Sequence, residues 1–196
     1  NHGIPIVFFD RKVEGIEAST VRIDDYLMAF FMVERMIRSG CRKIVHLAGP
    51  DHISNGYDRH RGYREALEKF SIPYDKRYVI QGGLSAEEGA AAVEKFMSQG
   101  LDFDGLFGFT ETSTLGAKSS LQKMNYRIPE DVSLCCISGT TLCTLVHLTV
   151  TAVEQPVIEM ATLSCKFLLG QIADPNAAIE SVMLRGNIVE RESFRI

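Results

Sequence analysis

The sequence predicts an α/β protein in which a parallel sheet carries helices on both faces. Short and mostly apolar runs, such as Ile44–Leu47 and Val132–Ile137, are typical of strands buried on both sides. Amphipathic stretches with helical spacing alternate with these runs along most of the chain. Because a strand–helix–strand series favours right-handed crossovers, this alternation indicates a parallel sheet.

The first part of the chain predicts two strands and a helix. Residues 4–9 and Thr20–Ile23 have the apolar pattern of buried strands. Asp24 or Asp25 can cap the helix that follows, and Gly40 can end it in the left-handed conformation. The apolar positions of this helix that fall near one face are Leu27, Phe30, Phe31, Met36 and Ile37.

Further strand and helix units follow the run at Ile44–Leu47. A helix with Tyr63 facing inward leads to a strand at Tyr78–Ile80. Ser85 and Glu88 have the spacing of a capping box, which opens the next helix. The remaining elements predicted in this part are a strand at Gly105–Phe109, a helix near Ser113–Met124 and the strand at Val132–Ile137.

The last part of the chain predicts a strand at residues 147–153 and a helix that begins at Pro156. A closing pair of strands, Ser181–Leu184 and Ile188–Glu190, is separated by Arg185-Gly186-Asn187. This separation fits either a hairpin turn or a bulge.

Composition limits the classes of function. The chain has 196 residues and a net charge of −4, and its basic residues form no run longer than a pair. A nucleic-acid-binding surface needs a clustered basic face, so this segment is not expected to bind DNA by itself. Neither a stretch of about 20 apolar residues nor a basic start followed by an apolar run is present, so neither a membrane span nor a signal peptide is predicted.

The five cysteines are odd in number and include no C-x-x-C pair, which fits a reducing cytoplasm. Cys143 and His147 are near enough in sequence to suggest zinc, but their spacing leaves the tetrahedral ligand set incomplete. No metal and no cofactor are therefore expected.

The strand at Ile44–Leu47 points to a ligand site. Gly49 and Pro50 end the strand abruptly, and ligands of open α/β sheets bind outside the carboxyl ends of strands. Arg59 follows this end, and its guanidinium can grip a carboxylate, a phosphate or a pair of hydroxyls. The alternative is an ordinary surface arginine.

The chain resembles the effector-binding region of the lac repressor family of bacterial transcription regulators. The resemblance spans nearly the whole chain with compatible spacing, although no single motif would be specific. The matching blocks are Ile4-Pro5-Ile6-Val7-Phe8-Phe9-Asp10-Arg11, Ala48-Gly49-Pro50 with Arg59-x-x-Gly62-Tyr63, Leu115-Gly116-Ala117, Ile128-Pro129-Glu130-Asp131-Val132-Ser133-Leu134, and Thr151-Ala152-Val153-Glu154-Gln155-Pro156.

The resemblance implies a periplasmic-binding-protein-like fold with one complete lobe and one partial lobe. It places residues 1–23 in a partial N-terminal lobe and residues 24–150 in the C-terminal lobe. Residues 151–175 would then form the return helix of the N-terminal lobe, and residues 176–196 the closing strands of the C-terminal lobe. The resemblance also implies an N-terminal truncation, with the DNA-binding domain absent from this chain.

The resemblance assigns Arg59 to the family's effector arginine. Asn55 and Tyr57 fall in the same loop and could point inward. Asp10 ends the first strand and faces the cleft from the opposite lobe, where a carboxylate suits a polyol, although a turn aspartate that bonds its own backbone is the alternative. Arg11 is adjacent and shares both interpretations.

Four further candidates depart from the family's pattern. Leu84 takes the place of an aromatic side chain that stacks on the ligand, and Thr110-Glu111 takes the place of an asparagine–aspartate pair. Ser138 takes the place of an aspartate. Loss of that carboxylate would make the pocket less negative, so a sugar acid or sugar phosphate joins plain sugars as a candidate effector.

No catalytic set is apparent, because the serines lack a G-x-S-x-G elbow and there is no phosphate-binding P-loop. We therefore expect a protein that is not an enzyme. The expected function is effector sensing and dimerisation in a cytoplasmic transcription regulator that reaches operator DNA only through a separate helix-turn-helix domain. The alternative is the periplasmic sugar-binding protein of a transporter.

Overall fold

The structure, a computed structural model, describes residues 4–50 and 52–195. Residues 1–3 and 196, which belong to the predicted first and last segments, lie outside the described residues, as does Asp51. The strands are β1 (Val7–Phe9), β2 (Ser19–Ile23), β3 (Ile44–Ala48), β4 (Val79–Gln81), β5 (Gly105–Gly108), β6 (Ser133–Gly139), β7 (Thr151–Glu154), β8 (Ser181–Leu184) and β9 (Asn187–Val189). The helices are α1 (Asp25–Arg38), α2 (Ser54–Lys69), α3 (Ala86–Met97), α4 (Glu111–Lys123), α5 (Leu142–Leu145) and α6 (Val157–Ala173).

The strands form two sheets. A six-stranded sheet has the order β4-β3-β5-β6-β7-β9, and only β9 runs antiparallel to its neighbour. A three-stranded sheet has the order β1-β2-β8 and is parallel throughout. The predicted α/β fold with a parallel sheet is confirmed.

Two hydrophobic cores cover the two faces of the six-stranded sheet. Phe107 and Cys135 contribute to the core that contains α1 and α2, whereas their neighbours Leu106 and Leu134 contribute to the core beneath α3 and α4. Successive side chains of a strand point to opposite faces, so a strand covered on both sides needs apolar residues without a break. This requirement explains the continuous apolar runs in the sequence.

Glycines allow the helices to pack closely in pairs. A Cβ atom on Gly62 of α2 would lie 2.4 Å from the backbone oxygen of Tyr26 in α1. A Cβ atom on Gly116 of α4 would lie 1.8 Å from the backbone oxygen of Ala86 in α3. The glycine three residues after Arg59 is therefore required by helix contact, whatever the ligand.

The caps of α1 and α3 follow the sequence. The side chain of Asp24 accepts a hydrogen bond from the Leu27 amide, which selects Asp24 over Asp25 as the cap of α1. Ser85 and Glu88 form the predicted capping box. The predicted buried face of α1 is partly wrong, because Leu27, Phe30 and Phe31 are only partly buried. The buried apolar positions of α1 are Met28, Ala29, Met32, Val33, Met36 and Ile37.

The three-stranded sheet differs from the prediction. The first strand begins at Val7 rather than at residue 4. The closing pair does not belong to one sheet: Ser181–Leu184 pairs with β2, whereas Asn187–Val189 pairs with β7. Residues 176–196 therefore do not all close the C-terminal lobe, and Arg185-Gly186-Asn187 links two sheets instead of forming a hairpin.

The predicted strand at 147–153 is also shorter than expected. It begins only at Thr151, after the short helix α5. Helix α6 starts after Pro156, as the sequence indicates, and it packs on β1 and β2 through buried Met160 and Phe167.

Candidate functional site

A cluster of polar groups lies where strands of both sheets end. Its members come from the ends of four strands, from the start of α1 and from the second turn of α2. They are Asp10 after β1, Phe109 after β5, Ser138 in β6, Gln155 after β7, Asp25 at the start of α1 and Arg59 in α2. This is the edge at which α/β sheets bind ligands.

Arg59 is the centre of the cluster. Its Nε and Nη2 atoms both lie 2.7 Å from Asp25 Oδ1, and Nη2 also donates to Ser138 Oγ at 3.3 Å. Nη1 donates to the backbone oxygen of Phe109, and the guanidinium lies 4.5 Å from the centre of the Phe109 ring. The side chain is 1% exposed, so the interpretation of Arg59 as a surface arginine is wrong.

Asp25 is the partner that the sequence did not indicate, because it was considered only as a helix cap. Its side chain is fully buried, and Oδ2 has no hydrogen-bond partner among the described residues. Burial raises the pKa of Asp25 to about 6, against the lowering effect of Arg59. Arg59 therefore has a carboxylate partner in Asp25, whereas Ser138 provides a hydroxyl group.

Gln155 joins the two sheets. Its Nε2 donates to Ser138 Oγ at 3.1 Å and to Asp10 Oδ1 at 3.4 Å. Asp10 and Ser138 both have positive φ angles, 66° and 64°, which are uncommon for residues other than glycine. Such backbone is maintained only where the surroundings fix it, and it often marks a functional site. Asp10 Oδ2 lies 3.8 Å from Arg11 Nε.

An open cavity of about 630 Å³ lies between the segment after β1 and the start of α2. Two predicted site residues, Arg11 and Tyr57, line it. Arg22 and Asp58 also line it and form an ion pair at 3.0 Å. The remaining lining residues are Lys12, Val13, Glu14, His52, Ile53 and Ser54.

Asn55 and Tyr57 differ in their surroundings. Both belong to α2 rather than to a loop, because the helix begins at Ser54. Asn55 lies one turn before Arg59 and is buried, and among the described residues its Oδ1 has no hydrogen-bond partner. Tyr57 is 65% exposed and faces the cavity.

Thr110 and Glu111 make contacts within the protein. Thr110 caps α4, accepting from the Ser113 amide. Glu111 is buried and accepts hydrogen bonds from the backbone and the hydroxyl of Thr140 and from the Cys143 amide. Glu111 therefore anchors the loop after β6. Leu84 is exposed, and its amide donates to Glu88.

Within residues 4–50 and 52–195, no group of three or more His, Cys, Asp or Glu side chains is arranged to hold a metal ion. In the same residues, no helix combines the length and the apolar character needed to cross a bilayer.

A wound α/β fold with a polar cluster at the carboxyl ends of its strands defines a class of small-molecule-binding domains. A family model described as a periplasmic binding protein-like domain matches residues 33–194. The chain belongs to this family.

The predicted resemblance to the lac repressor family is confirmed. The HTH-type transcriptional regulator CelR of Thermobifida fusca is 28% identical over 193 residues, which are 97% of this chain and 57% of CelR. A solved CelR–cellobiose complex matches with a TM-score of 0.92 at 28% identity, covering 97% of this chain and 59% of that chain.

A LacI-family regulator from Enterococcus faecium with bound ribose matches with a TM-score of 0.88 at 23% identity, a likeness that shows the fold. It covers 97% of this chain and 70% of that one. The chain spans a little more than half the length of the curated relative CelR.

Proposed function

We propose that this chain is the effector-sensing region of a bacterial DNA-binding transcription regulator, with a sugar-like small molecule as its effector. The observation that carries the proposal is the buried Arg59, held at the strand ends among groups from both sheets. A guanidinium with fixed neighbours can orient a polyhydroxylated ligand. The likeness to CelR supports a regulatory role over that of a transporter's binding protein.

The proposed lobes follow the two sheets. Strands β1, β2 and β8 with α6 form the partial N-terminal lobe, and the six-stranded sheet with its helices forms the C-terminal lobe. The proposed effector contacts are Arg59, Asp10, Arg11, Asn55, Tyr57, Leu84, Thr110, Glu111 and Ser138, to which the structure adds Gln155 as a supporting neighbour. A ligand between the lobes can favour one lobe arrangement only by its differential affinity for the two arrangements.

The proposed partners extend beyond this chain. Two copies would pair through the faces beside the cleft, and operator DNA would be bound by a separate helix-turn-helix domain in the cytoplasm. The proposed action is binding without turnover, with neither metal nor cofactor.

The test is a thermal-shift screen of neutral sugars, uronic acids and sugar phosphates, followed by calorimetric titration of each compound that raises Tm. We expect at least one compound to bind, and Arg59→Lys to weaken its binding at least tenfold because lysine cannot keep the forked contacts. The matched control is Arg127→Lys, in an exposed ion pair with Asp131, which should bind as the unmodified protein does. Equal affinity in the two variants would remove Arg59 from the site.

A further inference from the structure

We infer that Asp25 sets the charge preference of the effector site: by neutralising Arg59, it makes the site select uncharged, hydroxyl-bearing ligands over their carboxylate or phosphate counterparts. This inference rests on the proposed function. It assigns two roles to Asp25, which was not among the predicted site residues: Oδ1 compensates the charge of Arg59, and Oδ2 stays open to a ligand donor.

The first step concerns the donors of Arg59. All three nitrogens of the guanidinium have protein acceptors, namely the Asp25 carboxylate, the Phe109 carbonyl and the Ser138 hydroxyl. Both members of the ion pair are no more than 1% exposed. An anion that approached would meet an arginine whose charge is already compensated at short range, and so the usual attraction for a carboxylate or phosphate is reduced.

The second step concerns the groups that stay open. Oδ2 of Asp25 and Oδ1 of Asn55 are buried acceptors without partners among the described residues. Asp10 adds a carboxylate whose Oδ1 receives one long hydrogen bond from Gln155. Unsatisfied acceptors are costly in a buried place and are matched by donors, which ligand hydroxyl or amino groups provide.

The third step concerns the basic side chains that line the neighbouring cavity. Arg22 is paired with Asp58 at 3.0 Å, and Arg11 lies 3.8 Å from Asp10. These basic groups therefore have acidic neighbours of their own. Lys12, which also lines the cavity, could still attract an acidic ligand, and this is the competing outcome of the experiment.

The experiment measures charge selectivity with matched ligands. The intact protein is titrated calorimetrically with glucose, glucuronate and glucose 6-phosphate, with galactose and galacturonate, and with ribose and ribose 5-phosphate. For each sugar that binds, we expect the neutral form to bind at least tenfold more tightly than its matched uronate or phosphate. Equal or tighter binding of the anion overturns the inference and leaves the proposed function intact. Binding of no compound overturns both.

The variant Asp25→Asn keeps the size of the side chain and removes its charge. We expect the ratio of anion to neutral-ligand affinity to rise about tenfold or more, because Arg59 would carry an uncompensated charge. The matched control is Asp102→Asn, whose side chain is 87% exposed and pairs with Lys43, and it should leave the ratio unchanged. An unchanged ratio in a folded Asp25→Asn protein overturns the inference.

A pH profile of the unmodified protein gives a second readout that does not depend on the variant folding. The charged groups that act on Asp25 are Arg59 from α2, Arg22 from β2 and Asp10 after β1. Protonation of Asp25 between pH 7.5 and 5 should raise the affinity for glucuronate or galacturonate relative to the neutral sugar. The sugar phosphates are left out of this profile because a phosphate monoester itself takes up a proton near pH ~6. His52→Gln, measured in parallel, removes the histidine that lines the cavity. A ratio independent of pH in both proteins contradicts the inference.

Discussion

The two sheets of this molecule are covered to different extents. In the six-stranded sheet, every residue of β3 and β5 is buried between the two hydrophobic cores. In the three-stranded sheet, the central strand β2 is mostly buried, whereas the edge strand β8 alternates exposed and partly buried residues and the edge strand β1 has none that is fully buried. The six-stranded sheet, with β3, β5, β6 and β7 mostly buried, thus provides the larger buried platform, whereas the smaller sheet has one mostly buried strand.

The polar cluster draws on both regions. Arg59, Phe109 and Ser138 belong to the six-stranded sheet and its helices, whereas Asp10 follows a strand of the smaller sheet. Asp25 begins the helix that connects the two sheets, directly after β2. A site of this kind combines a fixed anchor on one side with a less covered partner on the other, which suits ligand-dependent rearrangement.

The largest effect on stability is expected from breaking the buried ion pair between Asp25 and Arg59. Asp25→Ala leaves Arg59 buried without its counter-charge, which should lower the free energy of unfolding by about 3–5 kcal/mol in urea denaturation at pH 7. The same change at Asp131, in the exposed pair with Arg127, should lower it by much less. Equal losses in the two variants would show that burial of the pair is not what matters.

Core truncations compare the sheets directly. Leu106→Ala, at a fully buried position of β5, should cost about 2–5 kcal/mol by loss of transfer free energy and creation of a cavity. Met183→Ala, at a 56% exposed position of β8, should cost less than about 1 kcal/mol. Urea denaturation of both variants measures the loss in the free energy of unfolding. A larger loss for Met183→Ala than for Leu106→Ala would contradict the claim that the six-stranded sheet is the more buried of the two.

Two glycines compare a closely packed helix, α2, with a helix position that has free space, in α6. Gly62→Ala should destabilise by about 1–3 kcal/mol, because the new Cβ would collide with the Tyr26 backbone. Gly170→Ala in α6 has no atom within 4 Å of the new Cβ and should stabilise by about 0.5–1 kcal/mol. Thermal denaturation of both variants measures the difference. A stable Gly62→Ala protein would contradict the close approach of α1 and α2.

The last comparison sets the buried Asp25 against the exposed Asp131, whose shifted pKa values give pH dependences of opposite sign. Because burial raises the pKa of Asp25 to about 6, ionising this carboxyl costs more in the folded protein than in the unfolded chain, so stability is greatest below the unfolded pKa of 3.8 and declines as pH rises towards 6. The Arg127 hydrogen bond lowers the pKa of Asp131 to about 2, so its contribution is present above 3.8 and is lost as pH falls towards 2.

The measurement is the difference in unfolding free energy between the unmodified protein and each asparagine variant across pH 2–7. Asp25→Asn should remove a decline in the free energy of unfolding with rising pH. Asp131→Asn should remove a rise in the free energy of unfolding with rising pH. A decline retained in Asp25→Asn would assign the effect to another group.

The sequence predicted the parts of the fold that depend on local patterns. The runs at Ile44–Leu47 and Val132–Ile137 are apolar because both sheet faces are covered, and the Ser85–Glu88 capping box is a short-range signal. The pairing of β8 with β2 was not predicted, because an alternating strand does not say which sheet edge it joins.

The site was predicted less completely than the fold. Arg59 was predicted from its place after a strand and three residues before Gly62, and in the structure it lies buried at the carboxyl ends of the strands, paired with Asp25. Asp25 was missed because helix-start acids usually act as caps, and only the approach of α2 to α1 turns this one towards the arginine. Such a contact between distant segments has no local signal.

The most direct test of the central claim observes Arg59 itself. In ¹⁵N-edited NMR spectra of arginine side chains, assigned with Arg59→Lys, the account predicts that a binding sugar shifts the Arg59 Nε–H resonance and leaves that of Arg127 unchanged. An Arg59 resonance that does not move at saturating ligand would contradict the account.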